Sequence, residues 1–384
     1  MALAWDILNP SIVTGVVSQV KAQGDTLQKI FGFQEGGPAT RQVSATASYD
    51  YDIFNNTQTV MRGRLPGTPA GTIPRQQVGR VTQTFGRGYE KIPLDYEQIS
   101  NIRVIGENAG TLDKMGFQYM IRQARYLKQR QQNYREFITG ALFRGGVYGF
   151  NLVGEDLLPV YDTTNAYITN DLKMSANFKS TAIPGLPMDT GSNLVTAAWS
   201  TTSTDIPAQL ANIDAGFQQA VNAPLKHIFL TNVQFLNVLQ NDKVRQLAGT
   251  ANKAFSTYEM MDVTGPDGNP TGAKGAVLTG LPYYMWHTFD GYLDIYDLNS
   301  ASTKVKILDD LFATFTIEID PSWLAMVEGM EIVKENMIAD AHPVMGGYSW
   351  LKELDDTARV ELYSVLKVLV ELTIPKGVAR AKVA

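Results

Sequence analysis

Residues 111–143 read TLDKMGFQYMIRQARYLKQRQQNYREFITGALF, and no proline interrupts them. Leu112, Met115, Tyr119, Met120, Ala124, Leu127, Tyr134, Ile138 and Ala141 recur at steps of three and four, which puts them on one face of an α-helix. Gln131 is the only polar residue at that spacing. Thr111 has the chemistry of an N-cap, and Gly145–Gly146 supplies the stop. The opposite face carries Arg122, Arg125, Lys128, Arg130 and Arg135, a charge run of one sign. Such a helix would extend ~50 Å at ~1.5 Å per residue.

Just upstream, residues 55–96 form a long polar stretch with no sustained period. It holds Gly63, Gly67, Gly71, Gly79, Gly86 and Gly88, prolines at 66, 69, 74 and 93, and Arg62, Arg64, Arg75, Arg80 and Arg87. A structureless loop of that length inside a compact domain is unusual. The flanking alternation (Val60, then Val81, Phe85 and Tyr89) favours an extended two-stranded arm, which would reach ~60 Å at ~3.3 Å per residue. The glycines are candidate hinges of this arm, and the arginines of arm and helix are candidate contacts to a neighbouring subunit. An arm beside a rod fits a protein that grips copies of itself.

Outward from this pair, Pro10–Val20 has the spacing of a short amphipathic helix within an N-terminal arm. Strands are expected at Val147–Val153 and Leu157–Tyr161, and helices at Ile206–Asn222, Val233–Leu239 and Lys243–Ala248, with the apolar strand His227–Leu230 between the first two of these helices. Val263–Gly275 (VTGPDGNPTGAKG) reads as a turn-rich loop. Strands return at Tyr283–His287, Leu293–Tyr296, Phe312–Ile319 and through Ala358–Ala384. The class is α+β, without the regular alternation of a parallel α/β fold.

The 384 residues suffice for two or three domains, and no run approaches the ~20 apolar residues of a membrane helix. The opening stretch MALAWDILNPSIVTGVVSQV lacks the basic start and continuous apolar core of a signal peptide, and no long charged helical leader precedes the arm. With no cysteine, disulfides and thiolate metal sites are excluded. The net charge of −5 is uneven: residues 1–150 hold 17 Lys+Arg against 11 Asp+Glu, a net +6, whereas residues 151–384 hold 16 against 27, a net −11. Such polarity suits head-to-tail contact between copies.

Chemistry is thinly represented. There is no GxxxxGK[ST], HExxH or GxSxG. His227, His287 and His342 share no ligand spacing and read as core or loop residues. Asp309–Asp310 and Asp355–Asp356 are adjacent carboxylates whose side chains diverge in a strand, which disfavours paired acid–base work. The glycine-rich 265–275 loop lacks the strand–loop–helix setting of a phosphate cradle. No catalytic, cofactor or metal site is expected.

The order of these pieces resembles the major capsid proteins of tailed phages, and more specifically the lambda-type (phage capsid E) family. RGRLPGTPAGTIPRQ followed by GYEKIPLDYEQI resembles that family's extended loop and the strand leaving it. RQARYLKQRQQNYREFITGALFRGGVYGF resembles its spine helix, AAWSTTSTDIPAQLANI the Trp-containing segment before the next helix, and PLKHIFLTNVQFLNVLQNDKVRQL the strand–helix opening an inserted domain. LDDTARVELYSVLKVLVELTIPKGVARAKV resembles the C-terminal strands. The likeness runs from about residue 40 to the end. It implies the Hong Kong 97 capsid fold: an N-terminal arm at 1–54, an extended loop at 55–96, a peripheral domain at 97–223 built on the spine helix, an axial domain at 224–338, and strands at 339–384 that return to the peripheral and axial domains. It also implies a major capsid protein of a virion, present in the host cytoplasm before assembly. That protein would build pentamers and hexamers with a scaffold, a portal and, in some relatives, cement proteins, and would enclose double-stranded DNA held non-specifically, with no membrane and no cofactor. Two other readings stay open: an encapsulin-like nanocompartment on the same fold, and an enzyme with an unrecognised site.

Overall fold

The computed structural model describes residues 26–45, 47–54, 78–95, 112–174, 198–265, 267–296, 302–333, 342–354 and 359–383. The expected Pro10–Val20 helix, the Thr111 cap, Asp355–Asp356 and the middle of the polar stretch, 55–77, lie outside the described residues.

The chain opens with α1 (Thr26–Phe31), β1 (Thr40–Gln42), β2 (Ser48–Phe54), β3 (Val78–Thr84) and β4 (Gly86–Asp95). The long helix α2 (Leu112–Gly140) follows, then β5 (Val147–Val153), β6 (Asp156–Val160) and β7 (Ile168–Asp171). Next come α3 (Ile206–Val221), β8 (Leu225–Leu230), α4 (Asn232–Gln240), α5 (Asp242–Leu247), β9 (Tyr258–Thr264), β10 (Pro270–Leu278) and β11 (Leu281–Thr288). The remainder is strand: β12 (Tyr292–Tyr296), β13 (Ser302–Lys306), β14 (Phe312–Ile317), β15 (Leu324–Glu328), β16 (Met330–Val333), β17 (His342–Met345), β18 (Gly347–Leu354), β19 (Arg359–Leu372) and β20 (Val378–Lys382).

The long helix forms as its apolar stripe dictates. At ~1.5 Å per residue its 29 residues span ~44 Å. Ala124, Leu127, Phe137 and Ile138 are buried on its inner face. Gln131 interrupts that stripe without penalty, because its amide donates to Ser364 Oγ at 2.7 Å and lies 3.3 Å from the Val365 carbonyl. A 3₁₀ turn, Ala141–Arg144, ends the helix at Gly145, whose φ of +88° requires glycine. The helix α3 is bounded as cleanly: Asp205 accepts from the Ala208 amide at 3.0 Å, and Asn222 closes it at φ +57°.

Two sheets carry the body. One runs β1-β15-β19-β18, with β4 also on β19; the other runs β20-β14-β8-β11-β10-β9. Strand β15, within 224–338, pairs with β19, and β20, within 339–384, pairs with β14. These pairings are long-range, and no local pattern encodes them. The chain passes directly between the sheets at two places, from β14 to β15 and from β19 to β20. The two crossings touch: the Thr373 amide donates to the Trp323 carbonyl at 2.9 Å, and Gly377 leaves room for the Trp323 ring. One apolar core joins both sheets to α1, α3 and the end of α2, with Phe31, Phe143, Phe229, Trp199 and Trp286 fully buried.

The Val263–Gly275 segment is not a loop. It is the distal half of a hairpin, with Thr264 opposite Pro270 and Asp262 opposite Lys274. Glycines at 268 and 272 take positive φ within the turn and a register shift, so glycine density here marks a hairpin tip. Strand β15 has no counterpart among the strands read from periodicity, and β18 falls among the return strands that the resemblance implies at 339–384.

Two buried polar groups brace this architecture. Arg135 of α2 pairs with Glu328 of β15, with side chains 3% and 2% exposed. On the six-stranded sheet, His227 of β8 and His287 of β11 are hydrogen-bonded, Nδ1 to Nε2, at 2.9 Å, one ring donating. Their rings lie nearly parallel, and His287 also stacks on Phe229 at 4.7 Å. Glu318 stands 3.6 Å from the outer nitrogen of His227. Burial, aided by the neighbouring His227 ring, holds the His287 pKa well below 6.5.

Removing one partner of the ion pair strands a buried charge. Arg135→Met is expected to cost about 3–5 kcal/mol in denaturant unfolding of the unassembled subunit, and the double change Arg135→Met with Glu328→Leu to recover most of it. The histidine pair predicts a pH dependence. Because the folded pKa of His287 is depressed, its contribution is complete above pH 6.5, the unfolded value, and is lost as pH falls below it, at up to about 1.4 kcal/mol per pH unit. His287→Phe should flatten the stability profile below pH 6.5; an unchanged profile would refute the assignment.

Candidate inter-subunit surfaces

Of the polar stretch, Val78–Thr84 forms one strand of a ribbon whose other strand, Ser48–Phe54, lies just before it. Strands β2 and β3 pair antiparallel, Ser48 opposite Thr84 and Phe54 opposite Val78. Beyond Phe85 the chain leaves this ribbon and β4 joins β19, Gly86 opposite Val368 through Asp95 opposite Arg359. Phe54 and Val78, at the outer end of the ribbon, are 46% and 47% exposed.

The candidate basic residues separate into groups. Arg62, Arg64 and Arg75 lie outside the described residues. Arg80 faces Asp52 across the ribbon at 3.7 Å, both exposed, a pair worth little in stability. Arg87 lies over the Tyr89 ring at 4.1 Å and pairs with Glu331 at 3.1 Å, and Glu331 also meets Lys367 at 2.6 Å. Arg130 forks onto both oxygens of Glu90, tying α2 to β4. Lys128 pairs with Glu35, tying α2 to the segment after α1. Arg122 and Arg125 are exposed on α2 and make no ion pair among the described residues. Four of the candidates thus already hold acids of their own chain, and two hold none among the described residues.

The candidate hinge glycines differ as well. Gly63, Gly67 and Gly71 lie outside the described residues. A Cβ on Gly79 would meet only Ile53, at 3.9 Å. Gly86 and Gly88 lie in the paired strand β4. A Cβ at 86 would overlap the Phe150 and Tyr134 rings, so glycine is required there for close packing. Between α2, β4 and β12 lies a groove of about 340 Å³, lined by Leu127, Tyr134, Phe137, Leu293 and Leu366 with the Arg130–Glu90 pair at its rim.

Sequence reasoning missed the acids that answer the arginines, because Glu90, Glu331 and Glu35 lie far along the chain from their partners and no local spacing links them. It also missed the meeting of His227 with His287. The available signal was that both sit in apolar strands, HIFL and YYMWH, that are candidates for pairing. Among the described residues no group of three or more His, Asp or Glu side chains is placed to hold a metal.

No family profile matches the chain, and no curated protein matches its sequence. Its fold is similar to known structures. A crystal structure described as a prophage capsid protein of E. coli CFT073 superposes with a TM-score of 0.52 at 12% identity, over 98% of this chain and 99% of the other. A phage-related protein from Bordetella bronchiseptica RB50 aligns with a TM-score of 0.44 at 11% identity, over 97% and 96% of the two chains. A structure from Mycobacterium phage Patience aligns at 0.41 and 10% identity, over 90% and 82%. The chain therefore has the α+β fold of that prophage capsid protein, strand-rich and built around one long helix.

Proposed function

We propose that this chain is a major capsid protein of a tailed phage, which assembles through pentamers and hexamers into an icosahedral shell around packaged double-stranded DNA. The observation that carries the reading is the match in fold to the prophage capsid protein over nearly the full length of both chains. Its supports are the two-stranded arm root, the ~44 Å helix beside it, and the lambda-type resemblance of the sequence. The chain's work is then structural rather than enzymatic, in the virion shell after assembly from subunits in the host cytoplasm.

The physics suits this role. A closed shell needs heterologous contacts that close on themselves. An arm laid across a neighbour buries much area, and obligate interfaces of this kind exceed ~2,000 Å². The first 150 residues carry a net +6 and the remainder −11, a difference that supports charge-complementary contact between copies. In this reading the residues of 55–84 reach the neighbour, Arg122 and Arg125, which hold no acid among the described residues, meet acids of another copy or phosphates of DNA, and the paired Arg80, Arg87, Lys128 and Arg130 brace the surface from within. The six-stranded sheet with α3–α5 serves as the axial body, and the five-stranded sheet with α2 as the peripheral one. Scaffold, portal and cement proteins are the expected partners.

Purified protein is expected to form discrete hollow particles by negative-stain microscopy, and particles from infected or induced cells to contain DNA. A monomer that never assembles under any salt condition would overturn the reading, and native particles filled with protein cargo would favour a nanocompartment. Removing residues 63–77 should leave the circular dichroism of the subunit unchanged and abolish closed shells; normal shells from that variant would show that the loop is not the reaching element.

A further inference from the structure

The arm leaves the body at a corner of one residue. Thr84 is the last residue of β3 and Gly86 the first of β4, so Phe85 alone separates a ribbon strand from a strand of the five-stranded sheet. A corner this short would be a natural hinge. Here it is locked from three sides. The Asn170 side chain, 1% exposed on β7, uses both ends of its amide on Thr84: its Oδ1 accepts from the Thr84 N–H at 2.8 Å and its Nδ2 donates to the Thr84 carbonyl at 2.8 Å. The side chain thus stands in for a strand neighbour where the ladder ends. Gln83, fully buried, donates from Nε2 to the Tyr51 hydroxyl at 2.8 Å and to the Val370 carbonyl at 3.1 Å, and its Oε1 accepts from the Tyr148 hydroxyl at 3.4 Å. Phe85 donates its amide to the Ala47 carbonyl at 2.9 Å and buries its ring against Val327 and Leu369.

Asn170, Tyr148 and Phe150 all belong to the three-stranded sheet β6-β5-β7, which shares no strand with either sheet the corner connects. We infer that Asn170 is a positioning residue that fixes the angle at which the arm leaves the body, so that the arm root and the β6-β5-β7 sheet move as one rigid elbow. Change of arm direction then takes place beyond the locked corner, or by motion of the whole elbow. The inference deepens the capsid reading and rests on it for one consequence: the elbow angle sets how neighbouring subunits meet, and so the diameter of the shell.

Hydrogen exchange on the unassembled subunit tests the elbow independently of assembly. In the wild type the amides of Thr84 and Phe85 should exchange as slowly as those of β5; exchange as fast as an exposed turn would overturn the inference with no variant needed. In Asn170→Ala the Thr84 amide should exchange about tenfold faster or more. In Asn170→Asp, which keeps an acceptor for Thr84 N–H but loses the donor, the change should be intermediate. In assembly, Asn170→Ala should broaden the particle diameters seen by electron microscopy. Leu239→Ala, a buried change in α4 that lowers the melting temperature, should keep one diameter. Equal broadening in both would make the effect one of stability alone and overturn the positioning role, as would an Asn170→Ala shell of unchanged diameter. If the wild type closes no shell, the capsid reading fails while the exchange data still decide the elbow.

Discussion

Strand β19 holds segments that are far apart along the chain in one plane. It pairs with β18 and β4 over its first part and with β15 near its end, and α2 lies across it through Gln131. A strand shared by so many neighbours fixes their register together, because a slip of one residue would turn every side chain to the wrong face. Leu362, Leu366, Val368, Val370 and Leu372 are buried, and alternate positions carry Glu361, Lys367 and Glu371, each answered by a charge from another element. The arm root, the long helix and the crossing to the second sheet all take their positions from this strand.

Charge is used here mainly as a tether. Arg41 to Glu371, Arg87 to Glu331, Lys91 to Glu361, Arg130 to Glu90 and Arg135 to Glu328 each link separate elements. Most are partly exposed and contribute modestly. Arg135–Glu328 differs because it is buried: its value lies in specifying where α2 sits, since any misplacement leaves two charges in an apolar core.

Periodicity made much of this fold readable. The long helix, α3 and its Asn222 end, and the short strand around His227 follow from the recurrence of apolar residues and from end signals that act within a few residues. The alternation of Val81, Phe85 and Tyr89 marked extended chain, though only Val81 lies in the ribbon, Phe85 being the corner and Tyr89 part of β4. What stayed hidden depends on partners distant in sequence. Strand β15 is buried along its whole length and so shows no alternation; its identity comes from β1 and β19. Gly86 looked like freedom of the backbone, and its cause is instead the Phe150 and Tyr134 rings, which arrive from β5 and α2, well downstream in the chain. The 263–275 segment looked like a loop because glycine and proline mark a hairpin tip and a loop alike. The surfaces between copies were legible only as composition, since the acid that answers each arginine is chosen in space.

The paired crossings near Trp323 have a mechanical meaning. Tension that pulls the two sheets apart is shared by two lengths of backbone lying side by side, joined by the Thr373–Trp323 hydrogen bond and by the ring against Gly377. Two links side by side resist twist as well as stretch, where a single link would swivel. The sheets are therefore coupled as a stiff plate, and strain imposed at the rim of one reaches the other with little loss at the joint.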